Sequence, residues 1–250
     1  MRPFLAALRF LSFVPVPQGW TRGEDVLGSS VPAFPLVGLL AGGVLAAMAY
    51  GLQLLLPVLP AAALVVVGLV YVSRAMHLEG VADTADGFLS SRPRERVLEI
   101  MKDSHTGAMG VIAVVLLVLL KVSLLAVVPG PALWRVVLLT PLAGRCALVV
   151  MMALLPYARP GGGLATVFAA SLQGRPRRGL TLVWAVVLPP ALGWLLAGWM
   201  GLTGGAVALA ACLLFIVICG RRIGGYTGDT LGAACELAEL APALVAAAWA

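Results

Sequence analysis

Ala108-Met-Gly-Val-Ile-Ala-Val-Val-Leu-Leu-Val-Leu-Leu-Lys121-Val-Ser-Leu-Leu-Ala-Val-Val128 is an apolar run carrying one charge, Lys121. As a helix rising 1.5 Å per residue, it is about 30 Å long, the thickness of a bilayer's hydrocarbon core. Six further runs of similar character occupy residues 34–55, 58–76, 132–155, 180–199, 203–219 and 229–249. Composition agrees: of 250 residues, 61% are hydrophobic and 11% charged, and the mean hydropathy is +1.03. Soluble domains carry about 25% charge and 45–50% apolar residues. The expected fold is therefore all-α, a polytopic transmembrane bundle of about seven spans. It forms one domain over residues 1–250, without internal repeats and in contact with lipid.

The formal charge of +6 does not indicate nucleic-acid binding, because the arginines lie between apolar runs rather than in one stripe. Of 17 basic residues, all but Lys121, Arg135 and Arg145 fall in the N-terminal segment, at the end of the second span or in the longer polar segments. Those places share one side of a seven-span protein, which the positive-inside rule makes cytoplasmic. Ten of the 11 acidic residues lie on or near the same face; only Glu239 falls well inside a span. Lys121 and Arg135 are expected to snorkel toward the outer surface. Arg145 should face the bundle interior and pair with an acid or a phosphate.

Cys146, Cys212, Cys219 and Cys235 show neither a disulfide framework nor zinc spacing and read as packing residues. Arg9 interrupts the first apolar stretch, so the N-terminus does not read as a secretory signal. Phe4, Leu5, Leu8 and Leu11 at helical spacing predict a short interfacial helix on the bilayer surface.

The chemistry concentrates after span two: His77-Leu-Glu79-Gly-Val-Ala-Asp83-Thr-Ala-Asp86-Gly87. Glu79, Asp83 and Asp86 at i, i+4, i+7 share one helix face, and no Lys or Arg occurs from 75 through 91. Three crowded carboxylates repel one another unless a cation joins them. Oxygen donors of this kind suit Mg²⁺ or Mn²⁺ rather than zinc. A solvated acidic helix end paired with remote arginines is the alternative. His77 is a candidate proton carrier or a satisfied interfacial histidine.

A second acidic group opens the last span: Gly224-Gly-Tyr-Thr-Gly228-Asp229-Thr-Leu-Gly-Ala-Ala-Cys-Glu236-Leu-Ala-Glu239. Asp229 reads as a helix N-cap or a site residue, and its glycines permit close approach of a helix or a phosphate. Glu236 and Glu239 enter an apolar helix and need inward-facing partners. Between the two groups, Arg94 to Lys102 reads as an amphipathic surface helix with Val97, Leu98 and Met101 inward. Glu95 and Glu99 are exposed ion-pair partners. Asp103 either joins the metal site or accepts a hydrogen bond, and His105 is structural. No P-loop, HExxH, GxSxG or Rossmann fingerprint occurs in its required context.

The 77–87 stretch resembles the cobalamin synthase family, the adenosylcobinamide-GDP ribazoletransferases. The likeness extends to Ala7-Leu-Arg-Phe-Leu-Ser-Phe-Val-Pro-Val-Pro17, Arg94-Glu-Arg-Val-Leu-Glu-Ile-Met-Lys-Asp-Ser104 and Gly225-Tyr-Thr-Gly-Asp-Thr-Leu-Gly-Ala-Ala-Cys-Glu236. It is weaker at Gly144-Arg145 and Tyr157-Ala158. Many relatives have aspartate where this chain has Glu79, and the segment after Asp103 departs from the usual pattern. The resemblance implies that adenosylcobinamide-GDP and α-ribazole, or its 5′-phosphate, give adenosylcobalamin, or its phosphate, and GMP. It further implies a Mg²⁺ requirement and a place in the bacterial inner membrane.

On this reading Glu79, Asp83, Asp86, Asp229 and Glu236 are the candidate metal ligands, and His77, Asp83 and Asp86 the candidate catalytic groups. Asp103, Arg145, Gly228 and Asp229 are candidates for contacting substrate. Self-association, or association with other enzymes of the pathway, is a further expectation. Two rivals remain at this stage. A CDP-alcohol phosphotransferase shares Asp83, Asp86 and Gly87 but needs Ala-Arg where Ser90-Ser91 stands, and later aspartates that are missing. A corrinoid or cation transporter would string ionisable groups across the bilayer.

Overall fold

A computed structural model describes residues 1–159, 166–168 and 177–249. Among these residues the fold is helical, with no strands. The elements are α1 (Arg2–Leu11), α2 (Gln18–Thr21), α3 (Glu24–Gly28), a 3₁₀ turn (Val31–Ala33), α4 (Phe34–Leu55), α5 (Val58–Val72), α6 (Met76–Phe88) and α7 (Arg94–Ile100). They continue with α8 (Ala108–Val127), α9 (Gly130–Leu154), α10 (Arg177–Ile223) and α11 (Gly228–Ala248).

α9 is the central post, buried almost throughout from Leu133 to Ala153 and packed between α4, α10 and α11. Close packing there depends on small residues. Gly38 and Gly42, one turn apart on α4, lie against the backbone of Pro141 and Leu138, and a Cβ on Gly42 would sit 2.2 Å from the Leu138 carbonyl oxygen. Helices in lipid gain nothing from excluding water between them, so such close approach supplies the attraction through dispersion. α8 presents Leu116, Leu119 and Leu120 outward, the pattern of a lipid-facing helix.

Among the described residues, five helical stretches are long and apolar enough to cross a membrane: Val31–Leu55, Ala108–Val127, Gly130–Leu154, Arg178–Ile223 and Gly228–Ala248. α5 and α6 together make a sixth only as a pair bent by 88°. The polytopic all-α architecture is as expected, and one expected span divides differently. The expected spans 180–199 and 203–219 are the arms of α10, which breaks at Ala197 and at Gly198 with φ +59°. It folds back there, setting Gly193 against the Gly201 backbone and Trp194 against Trp199.

The second expected span is the departure. α5 stops at Val72, where Arg74 (φ 53°) and Ala75 (φ 59°) adopt left-handed backbone. At about 22 Å α5 is short for a span, and the acidic α6 turns across the bundle end rather than prolonging it.

α1 forms as expected, but protein covers much of its apolar side. Leu8 and Leu11 are buried in the main core. All four cysteines are free and buried. Lys121 does not snorkel outward as expected; it is buried against two glutamates of α11, because a charge inside the bundle gains more from a fixed partner than from stretching past an apolar wall.

At one end of the bundle, arginines tie helix termini together. Arg94 donates through Nε to the Ile223 carbonyl (2.8 Å) and through Nη2 to that of Ala158 (3.0 Å). Arg222 donates to the Phe88 carbonyl (2.9 Å). The segment after α9 pairs with the segment before α11: Ala158 N donates to Tyr226 O (2.8 Å) and Tyr226 N to Pro156 O (2.9 Å). α7 buries Val97 and Met101 against this junction, with Glu95 and Glu99 exposed beside Arg94 and Arg96.

Candidate active site

The two acidic segments meet where α6 crosses the first turns of α11. Gly80 makes the crossing possible, since a Cβ there would lie 2.5 Å from the Asp229 carbonyl oxygen. From the other side, a Cβ on Gly232 would lie 3.0 Å from the His77 carbonyl oxygen. The crossing brings Glu79, Asp83 and Asp229 to the edge of one cavity of about 280 Å³, together with His77 and Gly228. Phe10, Phe34 and Phe168 form its apolar wall, and their rings pack at 5.1–6.1 Å.

Thr227, not Asp229, caps α11. Its Oγ1 accepts from Thr230 N (3.2 Å), while Thr230 Oγ1 accepts from Thr227 N (2.8 Å), a reciprocal arrangement that satisfies two terminal donors. The Asp229 carboxylate is thereby released toward the cavity, where its Oδ2 accepts from Arg159 Nη2 (2.7 Å) and from Thr227 Oγ1 (3.2 Å). Burial pushes the Asp83 carboxyl up to about 6, reinforced by the charges of Asp229, Glu79 and Asp86 and opposed by Arg159.

Other predicted site residues lie elsewhere. Asp86 turns to the start of α8, where its carboxylate accepts from Gly107 N (2.7 Å) and Gly110 N (2.8 Å). It caps that helix from outside. Asp103 is exposed and accepts from His105 N (3.0 Å) and pairs with its Nδ1 (2.7 Å); both acids flank a separate hollow of about 200 Å³.

Glu236 and Arg145 belong to a buried network deeper in the bundle. Lys121 Nζ contacts Glu236 (2.5 Å) and Glu239 (2.7 Å), and Arg145 pairs with Glu239. The inward-facing partners expected for the α11 glutamates are thus Lys121 and Arg145. His77 sits between network and cavity, its Nδ1 3.4 Å from Cys235 Sγ and its buried Nε2 without a hydrogen-bond partner among the described residues.

Arg159 was missed in sequence. It follows Tyr157-Ala158, and only the pairing of that segment with Tyr226 carries it to Asp229. Its Nη2 also donates to the Met101 carbonyl (3.1 Å), while its buried Nε lacks a hydrogen-bond partner among the described residues.

Among the described residues, two places invite a metal. His77, Cys235 and Glu239 have ligand atoms within 4.8 Å of one another, yet Glu239 already accepts from Lys121 and Arg145. A further cation would face two fixed positive charges, so this group is structural. Glu79, Asp83 and Asp229 offer hard oxygen donors beside one arginine among the described residues, Arg159, and they are not drawn into a closed set. That suits Mg²⁺, which keeps several positions for water and phosphate oxygens.

A family model described as cobalamin-5-phosphate synthase matches residues 3–247. The chain belongs to the cobalamin-5-phosphate synthase family. Three relatives of this synthase family bear the name adenosylcobinamide-GDP ribazoletransferase. The Pseudomonas putida (strain GB-1) protein is 41% identical over 245 residues, 98% of this chain and 98% of its own length. That of Roseiflexus sp. (strain RS-1) is 39% identical over 242 residues, 95% of this chain and 86% of the relative. That of Citrobacter koseri is 37% identical over 244 residues, 95% and 96% of the two chains. No solved structure matches this member of the synthase family.

Proposed function

We propose that this membrane transferase performs the final stage of cobalamin assembly as an adenosylcobinamide-GDP ribazoletransferase, with Mg²⁺ held at the cavity between α6 and α11. One observation carries the reading: two distant acidic segments, both alike to the family's motifs, converge on a single cavity with an apolar wall. Family membership removes the CDP-alcohol phosphotransferase and transporter alternatives.

In the reaction, a ribose hydroxyl oxygen of α-ribazole or its 5′-phosphate bonds to the phosphorus attached to cobinamide. The bond from that phosphorus to the bridging oxygen breaks, and GMP leaves with the electron pair. Asp83 and Asp229 would hold Mg²⁺, which would supply charge neutralisation for the diphosphate and the departing phosphate. Arg159 fixes the Asp229 carboxylate. Glu79, at the exposed rim without a hydrogen-bond partner among the described residues, is the candidate acceptor for the hydroxyl proton. His77 is better placed to hold α6 against α11. The phenylalanine wall keeps bulk water from one side of the reacting phosphorus.

The charge distribution supports an inner-membrane protein whose cavity opens to the cytoplasm, where nucleotides are available. Self-association or association with other pathway enzymes would retain corrinoid intermediates near that face. The deciding experiment is GMP release by the purified protein in detergent with both substrates, with and without Mg²⁺. Release that requires all three components is expected. A well-folded preparation that releases none overturns the reading.

A further inference from the structure

The N-terminal stretch Ala7–Pro17 resembles a family motif but takes no part in the chemistry proposed above. Its place in the fold is the wall of the acidic cavity, which Phe10 and Leu11 of α1 help to line. Leu11 is buried, as are Phe34 and Phe168, whereas Phe10 is only half-buried. The Phe10 ring stacks on that of Phe34, with centroids 6.1 Å apart, and lies 5.1 Å from that of Phe168. Two buried rings thus fix the orientation of a third that keeps part of its surface uncovered. Met76 of α6 and Leu231 of α11 line the same cavity and are half-buried too.

An aromatic ring, a thioether and a leucine around one hollow make a surface for a flat apolar group. Ring–ring and sulfur–ring contacts each add about 0.3–1.5 kcal/mol to the apolar area that such a group would cover. Glu79, Asp83 and Asp229 line that hollow as well. The matching ligand therefore joins a flat apolar group to a polar reacting group by a short link, the usual division of labour in a small-molecule site.

α-Ribazole has that form. Its dimethylbenzimidazole base carries two methyl groups and one free ring nitrogen, and the reacting hydroxyl belongs to the ribose attached to it. The donor matches less well. Guanine presents hydrogen-bond donors and acceptors along its edges, which an apolar wall leaves unsatisfied. The corrin ring is too broad for a cavity of about 280 Å³.

We infer that Phe10, flanked by Met76 and Leu231, seats the benzimidazole base of the acceptor, which makes the N-terminal motif the base-recognition element of the site. The inference rests on the proposed ribazole transfer. A base seated there places the ribose hydroxyl within one sugar's length of the carboxylates.

The test is the KM for each substrate, measured by GMP release on the full chain and on Phe10→Ala, Phe10→Leu and Phe10→Tyr. Phe10→Ala should raise KM for α-ribazole about 10- to 100-fold, the effect of removing one base–aromatic stack. KM for adenosylcobinamide-GDP should stay near its wild-type value. Phe10→Tyr should restore most of the loss, and Phe10→Leu, apolar but without a stacking face, only part. The α-riboside of adenine, a more polar base, should lose less than α-ribazole when Phe10 is removed. A general folding defect lowers kcat without separating the two KM values, so an unchanged acceptor KM in Phe10→Ala overturns the inference. A rise confined to the donor's KM also overturns it, by assigning the wall to guanine or corrin.

Should wild type release no GMP, the transferase reading fails separately. Calorimetric titration of the detergent-solubilised protein with α-ribazole then decides the subsite. Binding weakened by Phe10→Ala supports it; equal binding to both proteins, or none to wild type, overturns it.

Discussion

Gly80 on α6 lies against the carbonyl of Asp229 on α11, close enough that a Cβ would stand 2.5 Å from that oxygen. One hydrogen-for-methyl exchange thus separates two acidic segments nearly 150 residues apart in sequence from a common cavity.

Gly80→Ala sets two effects against each other. Alanine favours an isolated helix over glycine by about 1 kcal/mol, but overpacking a fixed contact costs about 1–3 kcal/mol. The clash involves backbone, which cannot rotate away, so the cost should win. Thermal unfolding in detergent should show a lower Tm, with GMP release falling further than folded protein. A raised Tm with full activity would show that the crossing is looser than described.

Asp83→Asn and Asp86→Asn should separate site from scaffold. Asparagine at 83 removes a charge crowded by Asp229, Glu79 and Asp86, so the protein without Mg²⁺ should be as stable as wild type or more so. GMP release should fall at least about 100-fold, as for lost electrostatic stabilisation of a transition state. Asparagine at 86 weakens the cap on α8 and should cost about 0.5–2 kcal/mol. Parallel melting curves and Mg²⁺ titrations check both; equal stability losses would refute the division of roles.

Lys121→Met leaves Glu236 and Glu239 buried with Arg145 as their remaining cation among the described residues. Removing one member of a buried ionic group costs about 3–5 kcal/mol, because the remaining charge stays desolvated. The expected result is a sharply reduced yield of folded protein from membranes. The paired change Lys121→Met with Glu236→Gln should recover part of it, by removing the carboxylate stranded by the first substitution. Yield and Tm of the single and double variants measure the coupling.

Arg159→Ala frees the Asp229 carboxylate and removes the contact to the Met101 carbonyl. Activity should fall by about 10- to 100-fold, as expected for losing a partly buried charge-assisted hydrogen bond. Arg159→Lys should recover little, because one ammonium cannot reproduce the spread of guanidinium donors. Kinetics of the two variants at saturating Mg²⁺ make the comparison.

Much was legible from local pattern. Helices follow from runs such as Ala108–Val127, whose hydropathy needs no partner to be read, and the shared face of Glu79 and Asp83 follows from the 3.6-residue period. The chemistry of the carboxylates, and the family likeness in the segments that bear them, were equally visible. The turn at Arg74 and Ala75 was not, because neither residue is a glycine and nothing in an apolar run marks a left-handed break.

Periodicity likewise placed Asp86 with Asp83 and could not reveal that the α8 amides claim it. Nor could it pair Lys121 with α11 or carry Arg159 to Asp229, since those contacts depend on which helices touch. By itself, then, the sequence determined a helical membrane protein with two acidic motifs, because hydropathy and helix period are local properties of the chain. Tertiary structure alone decided which acids share the cavity: Glu79, Asp83 and Asp229 meet because Gly80 and Gly232 let two helix backbones approach, and Glu236 is withheld because Lys121 reaches it first.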